Sequence, residues 1–149
     1  MAEYFEEVKQ VRQKNGIQSI PGTVNFIKEL AQANFKLAIA SSSPLIDIEE
    51  VLTEFKIKDL FAAVISGAEL EHPKPAPDIF LLAMDKLKVA PKDCLVVEDS
   101  VNGVKAGLAA GAKMLVFNDP RYNPDRKLAG VHLVNTMENL QVATQKVIY

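Results

Sequence analysis

After Gly22 the sequence alternates between short apolar runs and amphipathic helical patterns, and this alternation is the feature that most constrains the fold. Continuous apolar runs of strand length are typical of strands that are covered on both faces. Helices between such strands need crossover connections, so the pattern predicts an α/β fold with a mostly parallel, doubly wound sheet and helices on both faces. The predicted strands are 37–40, 63–65, 94–97, 114–117 and 131–134, and helical patterns lie at 24–31, 45–55, 77–88, 101–111 and 140–147.

Capping residues mark several of the predicted helix ends. Ser43 is predicted to cap a helix with Pro44 in its first turn, and Ser100 to cap the helix after strand 94–97. Asn34 is predicted to close the first helix, because asparagine tolerates the left-handed conformation. The positions expected to face the core are Ile79, Leu82, Ala83 and Leu87 in one helix and Val101, Val104 and Leu108 in another.

The composition argues against several classes of partner. The formal net charge is -2 and the 17 Lys and Arg residues are scattered, so neither nucleic acid nor an anionic membrane is an expected partner. No apolar run reaches membrane-spanning length, and the charged N-terminus does not resemble a signal peptide. The single cysteine, Cys94, allows no internal disulfide and is interpreted as a packing residue. A cytoplasmic location is therefore expected.

Polar residues follow the predicted strands at the end where open parallel sheets bind ligands. The hydroxyl of Ser41, together with backbone N–H groups near a helix N-terminus, is suited to holding an anion. Lys74 lies between Pro73 and Pro75, which restrict the backbone and give the lysine side chain a fixed starting point. A rigid loop without a binding site would explain the same proline pattern.

Two adjacent carboxylates, Glu98 and Asp99, end strand 94–97. Neighbouring carboxylates repel each other unless a cation joins them, and oxygen ligands are those that Mg²⁺ prefers. The alternative interpretation is that Glu98 and Asp99 are solvated loop residues, or acids that interact favourably with the N-terminus of the following helix. Taken with Ser41 and Lys74, the acid pair predicts a site for a phosphate group and a Mg²⁺ ion. The glycine-rich loops of nucleotide-binding proteins are absent from the sequence.

Three segments together resemble a known family. They are Ala40-Ser41-Ser42-Ser43, then Lys74-Pro75-Ala76-Pro77-Asp78-Ile79-Phe80, then Glu98-Asp99-Ser100 with Gly103, Ala106 and Gly111. In order and spacing they resemble motifs two, three and four of the haloacid dehalogenase superfamily, most closely its β-phosphoglucomutase-like phosphatases. The resemblance implies a three-layer Rossmann-like fold. It also implies that Ser41 and Lys74 act on the phosphoryl group, that the Ser42 backbone contacts it, and that Glu98 and Asp99 hold Mg²⁺.

The first motif of that family, Asp-x-Asp-Gly-Thr, is absent from these 149 residues. In relatives this motif supplies the nucleophilic aspartate on a central strand and is followed by a helical cap. The resemblance therefore implies that residues 1–20 are a cap remnant or linker, that 21–149 form the hydrolase core, and that strands 37–40 and 94–97 flank a missing strand. We expect that gap to be filled by residues 1–20, another chain or a preceding segment, rather than closed by direct pairing.

The function implied by the resemblance is that of a Mg²⁺-dependent phosphohydrolase or phosphomutase. Its substrate would be a small phosphorylated metabolite, with a sugar phosphate as one candidate, and its reaction would use an aspartyl-phosphate intermediate. Without the aspartate, this chain alone is expected to be inactive. The alternative is a non-catalytic module that binds phosphate or a protein; a receiver domain fits less well, because its acid pair precedes its lysine. Lys74→Ala is expected to weaken phosphate binding while the fold stays intact.

Overall fold

The computed structural model describes residue 12 and residues 14–119 and 131–148, over which helices and strands alternate as predicted. Most of the segment 1–20, predicted to be a cap remnant or linker, lies outside the described residues. Short 3₁₀ turns at Lys58–Leu60 and Pro91–Asp93 lead into the second and third strands. The helices are α1 (Thr23–Gln32), α2 (Leu45–Glu54), α3 (Asp78–Leu87), α4 (Val101–Ala109) and α5 (Met137–Ile148). The strands are β1 (Leu37–Ser41), β2 (Phe61–Ser66), β3 (Leu95–Glu98), β4 (Lys113–Phe117) and β5 (His132–Val134).

The described strands form two separate parallel sheets. β1 pairs with β2, and β3, β4 and β5 form a three-stranded sheet in that order. The predicted α/β fold with parallel strands is therefore confirmed, but the sheet is split between β1 and β3. These two strands do not pair with each other, and no strand of the described residues lies between them.

Helices cover both faces of the two sheets. α3 and α4 pack on one face, and α1, α2 and α5 pack on the other. The strand residues alternate accordingly: Ala38 packs on the α3 side and Ile39 on the α2 side, while Met114 and Leu115 divide in the same way in β4. Within the described parts of the chain, no helix is both long and apolar enough to cross a membrane.

Three of the positions predicted to face the core, on two helices, are exposed instead. On α4, Val104 is buried as predicted, but Val101 and Leu108 are 40% and 47% exposed. The helix instead turns its small residues to the sheet, and a Cβ added at Gly107 would lie 2.4 Å from the Met114 sulfur. Close approach of helix and sheet thus leaves the larger side chains of α4 outside. On α3, Phe80 and Met84 are buried and Leu82 is not.

The capping predictions had mixed outcomes. Ser100 caps α4 as predicted, because its Oγ accepts a hydrogen bond from the Gly103 N–H at 2.9 Å. Asn34 adopts the predicted left-handed conformation, with φ of 63°. The cap at Ser43 was wrong: α2 begins at Leu45 with Pro44 at its N-cap and no side-chain cap.

A cavity of about 620 Å³ separates the two sheets. Strands β1 and β3 form its side walls. Helices α1 and α5 cover it on one face of the sheets, and helix α3 covers it on the other. We refer to this cavity as the slot, and to its end beside Ala40 and Glu98 as the mouth. The predicted gap between strands 37–40 and 94–97 is present in the described residues. Its filling by a further strand stays a prediction.

Candidate functional site

Lys74 lies at the mouth of the slot, on the loop that joins β2 to α3. Its side chain is only 9% exposed. The ammonium Nζ donates to the carbonyl of Ala40 at 3.1 Å and to Oε1 of Glu98 at 2.5 Å, and it lies 4.7 Å from the centre of the Phe80 ring. One cation therefore joins the ends of β1 and β3, and the aromatic ring adds a favourable electrostatic contact.

Glu98 is held by partners on both of its carboxylate oxygens. Oε1 accepts from Lys74, while Oε2 accepts from the N–H of Asp99 at 3.0 Å and from the N–H and hydroxyl of Ser100, both at 2.9 Å. Burial raises the pKa of Glu98, but the hydrogen bonds from Lys74 and Ser100 and the lysine charge outweigh burial, so the pKa is lowered overall. Glu98 is consequently an ionised carboxylate at neutral pH.

Gly103 makes room for the Glu98 carboxylate. A Cβ added at Gly103 would lie 2.0 Å from Cδ of Glu98, well inside van der Waals contact. Any larger residue would therefore have to displace the carboxylate that binds Lys74. The sequence places this glycine inside a helix, where glycine is unfavourable, and includes it in the family resemblance, but neither signal indicated that it makes room for Glu98.

The serine segment after β1 is folded into a loop by its own hydrogen bonds and by β2. Oγ of Ser41 accepts from the N–H of Ser43 at 3.2 Å, and the Ser41 carbonyl accepts from the Gly67 N–H at 2.7 Å. The hydroxyl of Ser66 donates to the Ser43 carbonyl at 2.7 Å. Ser43 is thus part of this loop, which explains why it does not cap α2. Sequence reasoning gave no role to Ser66, whose contact is visible only in three dimensions.

The positive end of the α2 dipole adds to this loop. α2 begins immediately after the serine segment, so its first N–H groups and the loop backbone lie at the same strand end. Ser42 is exposed in the middle of the loop. These N–H groups are hydrogen-bond donors of the kind that bind small anions, and they lie at the strand end next to the carbonyl that Lys74 contacts.

A second pair lies on the Lys74 loop. Nδ1 of His72 is 3.0 Å from Oδ1 of Asp78, the first residue of α3, and both side chains are exposed. The loop itself turns between Pro73 and Ala76, whose N–H donates to the Pro73 carbonyl at 3.0 Å, and the Lys74–Pro75 peptide bond is cis. His72 therefore connects the start of the loop to the helix that follows.

Cys94 is remote from this chemistry. It is half-buried against the core between the sheet and α3, and burial raises the pKa of its thiol. A raised thiol pKa disfavours the reactive thiolate. This agrees with its interpretation as a packing residue.

Comparison with known proteins assigns the chain to a family. A family model described as haloacid dehalogenase-like hydrolase matches residues 1–117. The chain belongs to this family. The match confirms the resemblance of the serine, lysine and acid segments to haloacid dehalogenase motifs, and it covers all three of them.

This haloacid dehalogenase-like hydrolase has phosphatases among its relatives. It is 41% identical over 104 residues to a bifunctional riboflavin kinase/FMN phosphatase of Arabidopsis thaliana, covering 69% of this chain and 27% of that protein. It is 37% identical over 109 residues to hexitol phosphatase B of Escherichia coli K12, covering 69% of this chain and 49% of that protein. The chain thus spans half or less of the length of these two relatives.

The haloacid dehalogenase-like fold is also found in solved structures. A variant of CbbY from Rhodobacter sphaeroides, in complex with xylulose-(1,5)bisphosphate, matches with a TM-score of 0.74 and 30% identity. The match covers 81% of this chain and 55% of that one. The predicted fold class is confirmed by this similarity together with the parallel strands and flanking helices described above.

The structure brings Lys74 and Glu98 into direct contact at the mouth of the slot, and the other predicted site residues are their neighbours along the chain or in the serine loop. Lys74 binds the carbonyl next to Ser41 and the carboxylate of Glu98, and Asp99 follows Glu98 as an exposed residue. Ser42 lies in the same serine loop. The roles of these residues in phosphate and metal binding stay predictions.

The acid pair is the predicted Mg²⁺ site. Over residues 14–119 and 131–148, no group of three or more His, Cys, Asp or Glu side chains could hold a metal ion. Glu98 and Asp99 are adjacent carboxylates at the mouth, and both oxygens of Glu98 accept hydrogen bonds. Mg²⁺ is often held by one or two carboxylates with phosphate oxygens and water. An ion at the mouth would therefore be held by this pair and would take its other ligands from phosphate and water.

Proposed function

We propose that this chain forms the core of a Mg²⁺-dependent phosphohydrolase or phosphomutase that acts on a small phosphorylated metabolite. The observation that carries the proposal is the position of Lys74, which is held between the ends of β1 and β3 beside the serine loop. The relatives support the substrate class, since they include an FMN phosphatase and a hexitol phosphatase. Sugar phosphates and similar metabolites are the expected substrates.

Each residue of the mouth has a separate part in this proposal. Lys74 neutralises the phosphoryl group, and the Ser41 hydroxyl with the Ser42 backbone N–H orients it. Glu98 positions Lys74 and, with Asp99, is proposed to hold the metal ion. When bound, Mg²⁺ would supply further positive charge to the phosphoryl oxygens.

The nucleophile of the proposed reaction lies outside these residues. An aspartyl-phosphate intermediate needs a nucleophilic aspartate, which the family resemblance places in an Asp-x-Asp motif, and these 149 residues contain no such motif. We therefore propose that residues 21–149 are the hydrolase core, that 1–20 are a cap remnant or linker, and that this chain alone does not turn over phosphate esters.

Phosphate titration followed by ³¹P NMR, with and without Mg²⁺, tests the binding part of the proposal. Lys74→Ala should weaken binding at least about tenfold, the effect of losing a charge-assisted contact. Lys86→Ala removes an exposed lysine from α3 and serves as the charge-matched control, which should bind like the unchanged chain. Equal phosphate affinity in the two variants would contradict the proposed role of Lys74.

Hydrolysis of a generic phosphate ester tests the catalytic part. The 149-residue chain should show no turnover, and a longer protein that adds an Asp-x-Asp-Gly-Thr segment should show it. Turnover by the chain alone, sensitive to Asp99→Asn, would mean that the nucleophile is among these residues. Phosphate binding without turnover in both proteins would favour the alternative function, a non-catalytic phosphate-binding module.

A further inference from the structure

The pair of His72 and Asp78 leaves one ring nitrogen of the histidine accessible to a ligand. Nδ1 of His72 lies 3.0 Å from Oδ1 of Asp78. A carboxylate only accepts hydrogen bonds, so Nδ1 carries a proton and donates it to Asp78 in this pair. Among the described residues no group bonds to the other ring nitrogen, Nε2, and the His72 side chain is 63% exposed.

This pair lies on the same loop as Lys74. His72 comes two residues before Lys74, and Asp78 begins α3 four residues after it. Two residues of chain span at most about 7 Å, so the histidine starts close to the lysine at the mouth. Three prolines restrict the loop backbone, and the bond to Asp78 fixes the ring against α3. The ring therefore has a defined position beside the mouth.

A ring held in this way is suited to a hydroxyl group. When the imidazole is neutral, Nδ1 keeps the proton that it donates to Asp78 and Nε2 is an acceptor. When the imidazole is protonated, Nε2 is a donor. A hydroxyl group both donates and accepts, so it can bond to Nε2 in either state. A carboxylate or a second phosphate could bond only to the protonated ring.

The charges around the ring favour the same class of ligand. Glu69 and Glu71 are exposed on the same loop, and the Asp78 side chain is 42% exposed. Lys74, the nearest cation along the chain, already faces the carboxylate of Glu98. These carboxylates would repel a second anionic group of a substrate, because like charges disfavour binding, but they would not repel a hydroxyl.

We propose that His72 binds a hydroxyl group on the organic part of the substrate, and that Asp78 is the positioning residue that holds its ring. The substrate class is then a monophosphate ester of a polyhydroxy compound, with an uncharged, hydroxyl-bearing chain beside the phosphate. This inference rests on the proposed function, because Lys74 must hold the phosphate for the hydroxyl to reach His72.

The test compares glycerol 3-phosphate with propyl phosphate, which differ only in their hydroxyl groups, and uses inorganic phosphate as the reference. Titrations of the 149-residue chain with Mg²⁺, followed by ³¹P NMR, measure the three affinities. Glycerol 3-phosphate should bind about fivefold more tightly than propyl phosphate, the effect of one net hydrogen bond. This preference should be the same at pH 5.5 and pH 8, because the hydroxyl can bond to the ring in either charge state.

His72→Ala should remove the preference and leave the affinity for inorganic phosphate unchanged. Asp78→Ala should reduce the preference, because the ring loses the bond that orients it. Glu71→Ala is the matched control, since it removes an exposed side chain next to His72 on the same loop and should keep the preference.

A chain that binds inorganic phosphate but does not distinguish the two esters would overturn this inference and leave the proposed function standing. A preference that survives in His72→Ala would overturn it as well, as would tighter binding of 2-phosphoglycolate, which carries a carboxylate, than of glycerol 3-phosphate. No binding of inorganic phosphate would contradict the proposed function itself, and this inference would fall with it.

Discussion

Nζ of Lys74 lies 2.5 Å from Oε1 of Glu98, and the two side chains are only 9% and 10% exposed. The sequence suggested a lysine on a surface loop whose removal would leave the fold intact. The structure shows an interior ion pair instead, in which each charge compensates the desolvation of the other. Removing one partner would leave the second charge buried, and this is more costly than losing a surface pair.

Lys74→Ala should therefore lower the free energy of unfolding by about 1–3 kcal/mol, the cost of leaving a buried polar partner unsatisfied. The expectation that this variant leaves the fold unaffected is thereby revised. Urea unfolding at pH 7 measures the effect. The double variant Lys74→Ala/Glu98→Gln should recover part of the lost free energy of unfolding. If it recovers none, Lys74 stabilises the chain through the packing of its aliphatic side chain rather than through its charge.

The stability of the chain should fall in acid partly through Glu98. Because folding lowers the pKa of this carboxyl, the unfolded chain binds the proton more readily. The contribution of Glu98 is therefore complete above the ordinary glutamate pKa of about 4.3 and is lost as pH falls below it. Urea midpoints measured from pH 7 to pH 3 should fall less steeply for Glu98→Gln. If the urea midpoints of the two chains instead fell equally with pH, Glu98 would not be a source of the loss of stability in acid.

Gly103→Ala should destabilise the chain by about 1–3 kcal/mol through overpacking against Glu98. Alanine in a helix would ordinarily stabilise relative to glycine, so the expected effect has the opposite sign to helix propensity. The variant should also weaken phosphate binding, because the displaced carboxylate positions Lys74. Asn102→Ala, on the exposed side of the same first turn, is the control and should have little effect. A more stable Gly103→Ala chain would refute the crowding argument.

Ser66→Ala should weaken phosphate binding severalfold and cost about 1 kcal/mol of stability, because the Ser43 carbonyl loses its hydroxyl donor. Ser43→Ala is the matched control, since it keeps that carbonyl and removes only a hydroxyl at the same loop. If Ser43 capped α2, its replacement would cost about 1 kcal/mol as well. Thermal unfolding and phosphate titration of both variants distinguish these outcomes.

Local signals in the sequence predicted the elements well, and contacts between elements poorly. The cap at Ser100 depends on residues three positions apart, so its pattern was visible in the sequence. The contact of Ser66 with the serine loop joins residues 23 positions apart and had no local signal. Hydrophobic spacing placed Leu108 in the core, but it could not show that glycines bring α4 so close to the sheet that only small residues fit.

The sequence predicted which strand ends carry the candidate site, but it did not predict the hydrogen bonds between the site residues. Ser41, Lys74 and Glu98 were selected because each follows or faces a parallel strand end, and topology does bring them to the same edge. That both oxygens of Glu98 are occupied depends on side-chain directions, and these are fixed only by packing. The hydrogen bonds to both oxygens of Glu98 are for that reason a result of the structure and had no signal in the sequence.

The split of the sheet also has a consequence for how the chain folds. Every strand pairing in the described residues joins strands that are consecutive along the chain. Each pairing therefore closes only the crossover between neighbouring strands, and none of them joins strands that are distant along the chain. Because the described strands include no ladder between the two sheets, the two halves of the chain could open as two separate cooperative units. A strand bound in the slot would couple these units into a single unfolding transition.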